Sequence, residues 1–155
     1  MGIVERFLAS QSQKAQQAER RINAQGSNTM TGLASRFFGS AIVYALLGMT
    51  LGLIMGMTGD HSQMPTHAHL MLLGWVSFAL FGVVYHLFPS AAANRLAPVQ
   101  FWVAEISLIV LIVGLFLLFS GQSSADPVAA IGATGLLASM ILFAIIAWPV
   151  VRGAK

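Results

Sequence analysis

The chain reads as an all-α integral membrane protein: a four-helix bundle with both termini on the cytoplasmic side. Composition, four apolar runs of spanning length and the placement of charge predict it. Of its 155 residues, 57% are hydrophobic and only 8% are charged, with a mean hydropathy of +0.78. Soluble domains carry about 25% charged residues, so this chain has too few to cover a water-facing surface. The length suits one compact domain. Cysteine is absent, which excludes disulfides, iron–sulfur clusters and thiolate metal sites.

Residues 1–33 are expected to form a cytoplasmic N-terminal tail, and residues 34–155 the four-span domain. In the tail, Ile3, Val4, Phe7, Leu8, Ala15, Ala18 and Ile22 recur at near-helical spacing. That pattern suits an amphipathic helix on the inner leaflet or a partner-binding arm; a solvated, partly disordered tail fits the composition equally. Glu5, Arg6, Lys14, Glu19, Arg20 and Arg21 interrupt any apolar run that a cleavable signal peptide would need. The first span is therefore expected to serve as its own uncleaved anchor. Gln25–Thr31 reads as a hinge.

The four runs are about 37–57, 66–88, 99–119 and 128–151, each near the roughly 20 residues that cross a bilayer core. Pro65, Pro98 and Pro127 open the second, third and fourth runs, where a missing N–H costs nothing, and Pro89 closes the second. Asp126 and either Ser62 or Thr66 are expected N-caps. Gly48, Gly52 and Gly56 on the first run, with Ala129/Ala133 and Gly135/Ser139 on the fourth, let backbones approach closely.

Charge sets the orientation. Arg6, Lys14, Arg20, Arg21 and Arg36 precede the first run, Arg95 separates the second and third, and Arg152 and Lys155 follow the fourth. The two opposite connections carry only Asp60 and Asp126. The positive-inside rule then puts the N-tail, the middle loop and the C-tail in the cytoplasm. The expected location is the inner (cytoplasmic) membrane of a bacterium. The high pI is a topology signal rather than a sign of nucleic acid, which is not an expected partner. Trp102 and Trp148 read as interfacial anchors on the inner side.

Polar residues that could carry chemistry are few. His61, His67 and His69 crowd the outer approach to the second run, and Met55, Met57 and Met64 lie nearby. Imidazole with thioether suits haem iron or Cu(I). His67 and His69 are two apart, so a regular helix points them about 200° from each other and one metal cannot take both. His86 lies about 26 Å beyond His69 along a regular helix. There it approaches Glu105 on the third run, an intramembrane carboxylate that needs a partner. A His86–Glu105 pair is expected, as a structural lock or a proton-handling site.

The stretch Thr66-His-Ala-His-Leu-Met-Leu-Leu-Gly-Trp-Val-Ser-Phe-Ala-Leu-Phe-Gly-Val-Val-Tyr-His-Leu-Phe-Pro89 resembles the second helix of haem–copper oxidase subunit I, most closely the cbb3 type. The resemblance covers one helix of the four. It implies that His67 falls on the axial ligand of a low-spin haem b, Leu80-Phe81-Gly82 on a small-residue step and Tyr85 on a tyrosine that follows it. Slid by two residues, His69-Leu-Met71 instead resembles the aa3-type stretch, so His69 stands beside His67 as the implied ligand. Haem- and copper-containing membrane proteins of nitric oxide metabolism are similar in the same way. The helices that supply subunit I with its second haem ligand and its copper site have no counterpart here. A complete oxygen-reducing site is therefore not expected within this chain.

Three readings follow. In the first, the protein binds haem b through His67 or His69 and serves electron transfer or the handling or sensing of O2 or NO. Gly48, Gly52 and Gly74 would make room for the ring, with Trp75 and Phe78 packing on it. A missing second ligand then implies a homo-oligomer or a larger respiratory complex. In the second, His61, His67, His69, Met57 and Met64 bind or deliver copper. In the third, the chain is a cofactor-free accessory subunit whose methionines fill gaps.

Overall fold

The computed structural model describes residues 2–26, 30 and 32–153. Met1–Met30 and Thr31–Lys155 are separate compact units. The first contains a single 25-residue helix, Gly2–Gly26. The expected hinge at Gln25–Thr31 falls mostly outside the described residues.

The second unit contains four helices long and apolar enough to cross a membrane: Gly32–Thr58, Met64–Leu87, Ala97–Phe119 and Ser123–Val151. They are the first to fourth spans, and no strand occurs among the described residues. The runs read from the sequence match them within a few residues, except that the first and fourth each begin five residues earlier, at Gly32 and Ser123. Proline enters the second, third and fourth spans in the first turn, as expected. Gly59 (φ 69°) and Gly121 (φ 96°) end the first and third spans in the left-handed region that only glycine adopts freely.

The expected side-chain caps are not made. Neither the Met64 nor the Asp126 helix start carries a side-chain cap. Thr66 Oγ1 instead donates to Gln63 Oε1 at 2.7 Å. Gln63 in turn donates through Nε2 to the Phe116 carbonyl and Ser120 Oγ, both at 3.1 Å. The residue available for capping is used to tie the start of the second span to the end of the third.

The spans meet around one aromatic nucleus. Phe37 of the first span is fully buried; its ring lies 5.4 Å from Phe78 and Phe81, 5.7 Å from Tyr85 and 4.8 Å from Phe101. Phe143 of the fourth span closes on Phe81 at 4.5 Å. Edge-to-face contacts dominate, the arrangement that ring quadrupoles favour.

The third and fourth spans touch backbone to backbone. A Cβ added at Gly114 would lie 2.7 Å from Ala129 Cα, and one at Gly132 would lie 2.6 Å from Leu111 Cα. Ser107 Oγ fills the space that a side chain at Gly135 would need. Ala129 and Gly135 thus pack as expected from the small residues of the fourth span. On the first span, Gly56 has nothing within 4 Å of an added Cβ, so the glycine stripe is used only at Gly48 and Gly52.

The second span is not a regular helix. Leu70–Ser77 is a π-helical stretch between Met64–His69 and Phe78–Leu87. Thr66, Leu70, Gly74 and Phe78 are all buried, at strict four-residue spacing. A helix of about 3.6 residues per turn would rotate such a series off the core. Wider i→i+5 turns keep it facing inward. Ser77 Oγ supports the stretch by donating to the Leu72 carbonyl at 2.9 Å.

Because the obstacle at Gly132 is backbone and cannot swing aside, Gly132→Leu should destabilise the protein by about 1–3 kcal/mol or more. Gly39→Ala, with nothing within 4 Å, should leave the unfolding midpoint in detergent unchanged or slightly raised. A Gly132→Leu protein with the parent's midpoint would mean that the third and fourth spans do not approach this closely.

Candidate functional site at the His61–His69 segment

The connection between the first two spans is compact. Asp60 accepts the Ser62 backbone N–H at 2.9 Å, and this hydrogen bond holds its carboxyl below the usual carboxylate range. His61 bonds through Nδ1 to the Gly59 carbonyl at 2.9 Å. His67 bonds through Nδ1 to the Gly48 carbonyl of the first span at 2.8 Å, and His69 through Nδ1 to the Pro65 carbonyl at 2.7 Å. A carbonyl oxygen only accepts, so in each ring Nδ1 carries a hydrogen, and Nε2 is the nitrogen that bears the lone pair in the neutral imidazole.

His67 is the most firmly held of the three, because its acceptor belongs to a different span. Gly52 makes the seat for its ring: a Cβ there would lie 2.8 Å from His67 Cε1. At Gly48, an added Cβ would lie 2.7 Å from Met71 Sδ. Gly74 is covered by Tyr44, whose Cβ would be 2.7 Å from an added Cβ. All three glycines expected to accommodate a flat macrocycle instead accept side chains of this chain. Phe78 is fully buried in the aromatic nucleus, away from any open slot. Trp75 is half-buried, beside Phe38 at 6.3 Å.

Two apolar clefts flank the start of the second span. One, of about 240 Å³, lies between the first and second spans along Ile42, Ala45, Leu46, Met49, Met71 and Trp75. The other, of about 290 Å³, is lined by Leu47, Leu51, Leu70 and third-span residues from Ile112 to Leu117. Both fall below the roughly 300–1,000 Å³ of a typical ligand pocket. His67, Met71 and Trp75 follow at four-residue spacing, so the first cleft continues the line of the His67 ring.

The sulfur donors expected at a copper site differ in exposure. Met55 is buried, whereas Met57 is 79% and Met64 47% exposed. Among the described residues, no group of three or more histidine, cysteine, aspartate or glutamate side chains could hold a metal ion.

The expected His86–Glu105 pair is not formed. Glu105 Oε1 accepts from Tyr44 Oη at 2.8 Å, and Oε2, though buried, has no hydrogen-bond partner. Tyr44 reaches the carboxyl because Gly74 opposite it has no side chain. His86 sits half-buried near the end of the second span.

A second polar cluster has no counterpart among the expected site residues. Tyr85 Oη donates to Gln100 Oε1 at 3.2 Å, and Gln100 Nε2 donates to Ser139 Oγ at 3.1 Å. Ser139 Oγ in turn donates to the Gln100 carbonyl at 3.3 Å. All three are essentially buried, and the cluster links the second, third and fourth spans. Its signal in the sequence was an amide at the start of an apolar run.

Four apolar helices of spanning length define the class, a multi-pass membrane protein. No protein-family model, curated protein or solved structure matches the chain.

Tyr44→Phe removes the one hydrogen bond made to the Glu105 carboxyl and should cost about 1–3 kcal/mol. His86→Ala should change stability by less than about 1 kcal/mol. Thermal unfolding of the two variants in detergent checks the assignment; the reverse ranking would restore His86 as the partner.

Proposed function

We propose that the protein binds haem b at the membrane, with His67 as axial ligand, and serves electron transfer or the handling or sensing of a diatomic gas such as O2 or NO. The observation that carries this reading is the His67 hydrogen bond. A backbone carbonyl on Nδ1 fixes the tautomer and ring orientation and leaves Nε2 to ligate, which is how metal-bound histidines are commonly held. Met71 and Trp75 extend the same side of the second span, so a macrocycle edge would lie against the Ile42–Trp75 cleft. His69 has the same free nitrogen, but its holder is its own helix turn. When bound, haem would supply one-electron redox chemistry or an open iron position for a gas.

The cleft, at about 240 Å³, forms one wall for such a group. The second wall, and a second ligand, would come from another copy of the chain or from a larger respiratory complex. In the orientation given by the positive-inside rule, the site faces the outer side of a bacterial cytoplasmic membrane.

The test is the absorption spectrum of detergent-purified protein from haem-replete cells, oxidised and dithionite-reduced, with iron and copper assayed together. A Soret band with b-type reduced bands and stoichiometric iron is expected. His67→Ala should abolish it with helicity retained. Gly52→Val, which displaces the ring without removing it, should sharply lower haem content. A colourless parent protein overturns the reading: bound copper would favour the methionine–histidine segment, and a metal-free sample an accessory subunit.

A further inference from the structure

The helix Gly2–Gly26 has no part in the haem reading, and its own chemistry points to a different surface. Every side chain from Arg6 to Glu19 is exposed; Phe7 and Leu8 are 62% and 60% so. At about 100° per residue, Phe7, Leu8, Gln11, Ala15 and Ala18 share one side, and Ser10, Gln13 and Gln17 the other. Lys14 lies two turns from Phe7, at the border of the apolar side, where its stem can lie along lipid while the ammonium stays in the headgroups. Four basic residues (Arg6, Lys14, Arg20, Arg21) face two acidic ones (Glu5, Glu19), an excess of two positive charges.

Residues 27–31 join Gly26 to the first span at Gly32. At full extension that link reaches about 20 Å, so the helix is held permanently near a lipid surface at high effective concentration. A protein groove would need large apolar anchors repeating along the helix. Here Phe7 and Leu8 are followed by Gln11, Ala15 and Ala18 on that side, and the next large apolar residue, Ile22, comes about four turns after Leu8. We propose that this helix docks on the anionic surface of the membrane that holds the spans, with Phe7 and Leu8 inserted at the headgroup–acyl boundary and Lys14 near lipid phosphates.

The chain has no cysteine, so one introduced thiol can be labelled uniquely. Full-length Leu8→Cys and Gln13→Cys proteins, each carrying an environment-sensitive fluorophore, are placed in nanodiscs of phosphatidylcholine alone or in an equal mixture with phosphatidylglycerol. Quenching by nitroxide-bearing lipid should be several-fold stronger at position 8 than at 13 in the anionic mixture. It should fall towards the zwitterionic value in high salt or with Lys14→Glu added. Equal quenching at the two positions, or the same values in both lipids, overturns the proposal. So does protection of position 8 that requires added soluble protein. The result is independent of haem content.

Discussion

A bilayer core offers no water to satisfy a polar group and no hydrophobic force to draw helices together. Association must therefore come from close packing and from hydrogen bonds made between spans. Both are used here. Gly114 and Gly132 let the third and fourth spans meet at backbone distance, where dispersion contacts are most numerous. One fully buried amide, Gln100, then joins three spans through Tyr85 and Ser139. An amide left unpaired in hydrocarbon would be costly, so the network also selects one register between these helices.

The second span shows how local backbone geometry follows from this packing. A regular helix could not keep Thr66, Leu70, Gly74 and Phe78 on the core together. The π-helical stretch does so and brings Gly74 opposite Tyr44. That contact lets the Tyr44 hydroxyl reach Glu105. One widened segment thus couples the aromatic nucleus at one end of the span to the histidines at the other. π-Helical segments are frequent at functional sites, and this one begins directly after His69.

At the histidine end the polar rings are held by backbone acceptors. His61, His67 and His69 satisfy Nδ1 on backbone carbonyls, which stabilises each ring in one orientation and leaves its other nitrogen unused. Only His67 is bound across spans, so only its position depends on the bundle being assembled. The carboxyl of Glu105 presents the opposite case: one oxygen is paired and the other is buried without a donor. Loss of Tyr44 would leave it with no hydrogen bond at all.

The sequence by itself determined the all-helical class, the four spans and the proline starts, because apolar runs of fixed length and the fixed φ of proline act locally. It also singled out the histidines, since polar residues in an apolar chain are conspicuous. What it could not give was pairing across spans. Glu105 was legible as a residue needing a partner, but whether His86 or Tyr44 supplies the contact depends on helix rotation and on the missing side chain at Gly74. The glycines of the first span were legible as close-approach sites, yet only the tertiary structure decided that His67 and Met71 fill them. The role of Gln100 is not legible in the sequence, because it comes entirely from Tyr85 and Ser139, residues distant in sequence that packing brings together. Local rules fix elements; which side chains meet is set by the rotation and register of whole helices, and those are properties of the assembled bundle.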